Sequence, residues 1–109
     1  MRDTSELTAA VERFADRLRT APQSRLQRGA AAEGLALARE LAARAQRAEE
    51  PGREPRAMPD AGVFTVADQL LVAGNDLAEI MRTAPDGSRE GELGEAVGLV
   101  REAMERAGL

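Results

Sequence analysis

TVADQLLVAGNDLAEIMRTAP, residues 65–85, decides the fold. Val66, Leu70, Ala73, Leu77, Ile80 and Ala84 recur at alternating steps of four and three, which lays them along one face of a 3.6-residue helix. Thr65 and Asp68 have the spacing of a capping pair, hydroxyl to one amide and carboxylate back to the other. Pro85 sets the end, because a residue preceding proline is pushed out of the helical region.

The same reading extends in both directions. Toward the N-terminus a first helix runs from Asp3 or Thr4 to Arg19 on a stripe of Leu7, Val11, Phe14 and Leu18, flanked by Ala10 and Ala15. Its closing Arg-Thr-Ala-Pro at 19–22 repeats the ending at 82–85. Ser24, with Gln27 three residues on, opens a second helix expected to continue to Glu49. That helix carries two apolar rows, Ala31, Leu35, Ala38, Ala42 and Leu26, Ala30, Leu37, Leu41, so it should touch more than one neighbour. Beyond residues 65–85, Asp86-Gly87 forms a turn and Ser88 offers a cap. A last helix follows from about Arg89 to Ala107 on Leu93, Val97, Val100 and Met104. Between the pairs, residues 50–64 contain Pro51, Pro55 and Pro59 without periodicity and read as a mobile linker.

The expected architecture is an all-α, single-domain, antiparallel four-helix bundle made of two hairpins, residues 4–49 and 65–108. The hairpins can be laid over each other. An offset of 63 pairs Leu7 with Leu70, Ala10 with Ala73 and Ala15 with Ala78. An offset of 62 pairs Gly29 with Gly91, Glu33 with Glu95, Leu37 with Leu99 and Arg44 with Arg106. Internal duplication and the chance agreement of two amphipathic hairpins are equal alternatives at this point.

Composition narrows the chemistry. The 109 residues include no cysteine and no histidine, which removes thiolate sites, the commonest general base and the commonest transition-metal ligand. Two phenylalanines are the whole aromatic complement, so the core must be aliphatic and alanine-rich, and marginal stability favours association. No apolar run spans a membrane, and the first residues lack an export core, which leaves the cytoplasm as the expected location. The two-helix units resemble small Trp-x-Gly helical hairpins in length alone, since no tryptophan stands at either elbow. A phosphotransfer bundle would need a histidine.

Several motifs dissolve on inspection. Residues 86–91, DGSREG, start like a calcium loop, but position twelve is Val97 where a bidentate glutamate is required. Ser5, Ser24 and Ser88 stand at helix starts, where capping accounts for them without a nucleophile. No catalytic, cofactor or metal set is expected, and the chain reads as a non-enzymatic interaction or regulatory module, a homodimer or the binder of a protein partner. The candidate interaction face is Leu37, Leu41, Val72 and Leu99. The alternative is a DNA-associated regulator acting through the arginines of the first elbow, Arg13, Arg17, Arg19, Arg25 and Arg28. The net charge of −4 and the lack of base-stacking aromatics argue against it. A helical pocket for an apolar small ligand is the third reading.

Overall fold

The computed structural model describes residues 3–84 and 89–109; the expected Asp86-Gly87 turn and Ser88 cap lie outside them. Four helices form a bundle: α1 Ser5–Thr20, α2 Ala31–Glu49, α3 Val66–Thr83 and α4 Glu90–Ala107. Each buries the stripe its spacing defines. On α1 the apolar set Leu7, Ala10, Val11, Phe14, Ala15 and Leu18 is enclosed, while Glu12, Arg13, Asp16 and Arg17 face water. On α3 the buried line is Leu70, Ala73, Gly74, Leu77 and Met81, and Ile80 and Ala84 lie at its half-buried edge.

Two local expectations are corrected. The second helix does not run unbroken from Ser24. Residues Gln23–Arg25 make one turn and Leu26–Ala30 a widened one, with Gly29 at φ 153°. Glycine takes that conformation without a Cβ penalty, and the kink leaves Leu26 and Ala30 on either side both buried. Nor do the capping pairs form. The Thr65 hydroxyl donates to the Gly62 carbonyl at 2.8 Å, and the Asp68 carboxylate accepts from Arg19 at 2.6 Å. A tertiary ion pair has displaced the local cap. At α1 it is Asp3 that caps, its Oδ1 accepting from the Ser5 amide at 2.9 Å and the Ser5 hydroxyl at 2.7 Å.

The helices of one hairpin are not side by side. α2 packs against α3 and α4, and α1 against the same two, whereas α1 and α2 meet only marginally. The two helices of each hairpin therefore stand on a diagonal of the bundle, and each hairpin clasps the other. Direction follows from which ends meet. The start of α2, at Gly34, lies on the start of α3, at Val66, and the end of α2, at Arg44–Ala48, shares a cleft with Met81 near the end of α3. Those two neighbours are parallel. α2 and α4 are antiparallel, since Arg44 meets Glu95 and Glu33 meets Arg106.

A parallel neighbour requires the chain to return along the whole length of α2 before starting α3. This is why residues 50–65 are long and extended. They form a strap rather than a loose linker. The Met58 carbonyl accepts from Arg39 Nε at 2.9 Å, the Arg56 amide donates to Gln46 Oε1 at 2.7 Å, and the Pro59 carbonyl accepts from Gln69 Nε2 at 3.0 Å. Met58 and Val63 are half-buried against the core.

Two helical glycines permit the clasp. A Cβ on Gly74 would come within 2.7 and 2.8 Å of the two Val11 methyls, and one on Gly34 within 2.8 Å of Val66 Cγ1. Elsewhere the wide apolar face of α2 is covered by α3 and α4, the more than one neighbour that its two apolar rows call for. Burial also repeats. Every buried residue of α1 has a buried counterpart 63 positions on, as Phe14 with Leu77 and Leu18 with Met81. At an offset of 62, Leu35, Ala38, Leu41 and Ala45 are matched by Val97, Val100, Ala103 and Ala107.

Candidate functional site

The arginines of the first elbow are drawn together, and their partners explain most of them. Arg17 Nη1 donates to the Leu109 carbonyl at 2.8 Å, and Arg25 Nη1 to the Gly108 carbonyl at 2.7 Å. Gly108 is the C-cap of α4, where the carbonyl has no intrahelical donor and carries the negative end of the helix dipole, so Arg25 caps α4, while Arg17 holds Leu109 just beyond the cap. Arg19 pairs with Asp68 at 2.6 Å and more loosely with Asp16 at 3.8 Å. Arg13 and Arg28 are exposed without a partner among the described residues. Three of the five candidate phosphate contacts are thus engaged within the chain.

The four interaction-face candidates are separated by the fold. Leu41 is fully buried and Leu37 is 5% exposed, both inside the core, so neither belongs to a free surface. Leu99, the counterpart of Leu37, is half-buried. Val72 alone stands out, 60% exposed on the outer side of α3. The residue missed by the sequence reading is Phe64, 71% exposed in the turn that feeds α3. The sequence says of it only that it precedes the helix start and lies on none of the stripes. Around Val72 one and two turns away stand Asp68, Asn75, Asp76 and Glu79, all exposed, so the apolar contact is rimmed by acids.

Of the clefts that border the bundle, two reach the hydrophobic core. One, of about 370 Å³, is lined by Arg44, Arg47, Ala48, Met81, Arg89, Glu92 and Glu95. Apart from Arg47 its charges are paired: Arg44 bonds Glu40 at 2.7 Å and Glu95 at 2.6 Å, and Arg89 bonds Glu92 at 2.8 Å. Partial burial by itself lowers the Arg44 pKa, but the hydrogen bonds it donates to Glu95 and Glu40, with the charge of both carboxylates, outweigh it and the net shift is upward. The other cleft, of about 330 Å³, lies between the strap and the start of α2, with Leu26, Leu35, Val63 and Val66 as its apolar wall and Arg39 and Asp60 at its rim. Neither cleft converges polar groups on one point. Among the described residues no group of three or more acidic side chains is placed to hold a metal ion, and no helix is long and apolar enough to cross a membrane.

Comparison with protein-family models, with curated proteins and with solved structures finds no match to this chain.

Proposed function

We propose that the protein is a non-enzymatic helical interaction module whose contact surface is the outer face of α3. One observation carries this reading. Phe64 and Val72 are the large apolar side chains that the bundle leaves exposed among the described residues, and both belong to α3 or the turn that leads into it. Single exposed aliphatics are ordinary on protein surfaces. An exposed phenylalanine is less so here, because the chain has only two and the other, Phe14, is fully enclosed. Aromatic anchors with a polar rim are the usual make-up of a protein contact. Of the rim acids, Asp68 and Glu79 are held by Arg19 and Arg82, and Asp76 is left to meet an arginine or lysine that a partner brings beside an apolar knob. The engagement of Arg17, Arg19 and Arg25 within the bundle gives the nucleic-acid reading no comparable support.

The test is site-specific photo-crosslinking in cells, with a photoreactive side chain at 64 or 72 and controls at the exposed positions Gln23 and Glu102. The expected outcome is one discrete adduct from 64 and 72 and none from the controls. That adduct should be lost in the Phe64→Ser/Val72→Ser variant at unchanged helicity. Equal labelling from all four positions, or no discrete adduct, would refute the surface.

A further inference from the structure

We propose that the two hairpins are equivalent halves related by an internal two-fold, and that each half is a fitting partner for the other half of a second copy of this chain, so that two chains can exchange hairpins. The crossed ion pairs carry this. Arg44 on α2 bonds Glu95 on α4 at 2.6 Å, and Arg106 on α4 bonds Glu33 on α2 at 2.9 Å. Arg106 stands 62 positions after Arg44, and Glu95 stands 62 after Glu33. Exchanging the halves turns one bond into the other. Only a two-fold operation does that, since a translated or screw-related repeat would send the second arginine to a third unit.

Two further contacts obey the same operation. Val11 and Gly74, 63 apart in sequence, touch each other, as counterparts must where they straddle the axis. Arg19 reaches Asp68 at the start of α3, and its counterpart Arg82 lines a groove with Asp3, Thr4 and Ser5 at the start of α1. The shared burial of counterpart positions extends the relation through the core. A hairpin whose own helices barely meet has no core of its own, so its apolar face is an interface by construction.

The strap decides which copy supplies the partner. From Gly34, beside the start of α3, to Glu49 is about 22 Å of helix at 1.5 Å per residue. Residues 50–65 extend to roughly 53 Å at 3.3 Å per residue and reach with slack. Closure within one chain then proceeds at an effective concentration of order millimolar, and the single chain is favoured at micromolar concentration. With residues 51–62 removed, four residues remain, whose five steps span at most about 18 Å. Such a chain cannot close on itself and must trade hairpins.

The test uses the full chain and this deletion, each also with Val11→Cys/Gly74→Cys. A Cβ at 74 lies 3.2 Å from Val11 Cβ, near disulfide range, and the protein has no other cysteine. Light scattering at 50 μM should give one chain for the full-length protein and two for the deletion, with equal helicity by circular dichroism. On non-reducing gels the disulfide should run as one chain in the first and as a covalent pair in the second. A folded single-chain deletion, a deletion that loses its helices, or a full chain whose two cysteines do not join would each overturn the proposal. Because these readouts do not involve Phe64 or Val72, their failure is distinct from failure of the α3 surface.

Discussion

Replacing Gly74 by alanine sets two effects of opposite sign against each other. In an exposed helix interior alanine is better than glycine by about 1 kcal/mol, because glycine loses more backbone freedom on folding. At position 74 the added Cβ meets three atoms of Val11 at 2.7, 2.8 and 3.2 Å. Carbon pairs rest at about 3.5–4.0 Å, so the approach is too close by roughly 0.7 Å. Valine is stiff at χ1, and here both methyls and the Cβ are struck, so no rotamer clears the contact. α1 and α3 must part instead, and overpacking of this kind costs about 1–3 kcal/mol. The net expectation is a loss of about 0–2 kcal/mol, a fall in Tm of up to roughly 10 °C. Gly94→Ala serves as the control: its Cβ would meet open space, and it should gain about 0.5–1 kcal/mol. Urea denaturation of Gly74→Ala, Val11→Ala and the double variant closes a cycle. Its coupling should be favourable by about 1 kcal/mol, since removing the Val11 methyls makes room for the new one. If Gly74→Ala stabilises the protein as Gly94→Ala does, the clasp at this crossing is wrong.

Three other outcomes follow from the same structure. Leu41→Glu places a charge at a fully buried position and should unfold the protein rather than alter its assembly, by loss of the helical signal in circular dichroism at 25 °C. Trypsin should cut first in the strap at Arg53 or Arg56, before any arginine of α1 to α4, as read by mass spectrometry of early fragments; an earlier cut within α2 would contradict the packing. The Asp3 carboxyl, lowered by the hydrogen bonds from the Ser5 hydroxyl and amide, should titrate below the ordinary aspartate range in a carbon-detected NMR titration. Its capping contribution is therefore present above the unfolded value of about 3.9 and disappears as pH falls through the lower folded value. Ser5→Ala should move that midpoint back upward.

Much of the architecture was legible in the chain because burial on a helix is periodic. The stripe Leu7, Val11, Phe14, Leu18 can be counted from sequence and is buried throughout, while on the later helices the count slips at the edges, where Ile80, Ala84, Leu93 and Met104 are half-buried and Gly74 and Met81 take the inner places. Helix ends at Thr20 and Thr83 were legible too, since proline two residues on restricts the backbone locally. Periodicity says which face is buried and nothing about which helix covers it. That choice belongs to contacts between residues dozens of positions apart. It is why α2 takes its cover from α3 and α4, why Leu37 and Leu41 are core, and why Asp68 answers Arg19 instead of Thr65. The arginines of the elbow were visible as charge, but their bonds to Gly108 and Leu109 depend on α4 ending beside them. Val72 could be picked out as an aliphatic off its stripe, whereas the exposure of Phe64 depended on where the returning strap turned into α3. Local spacing determined the helices and their buried faces. The close approaches at Gly34 and Gly74, which only the assembled bundle reveals, decided that the two hairpins clasp each other.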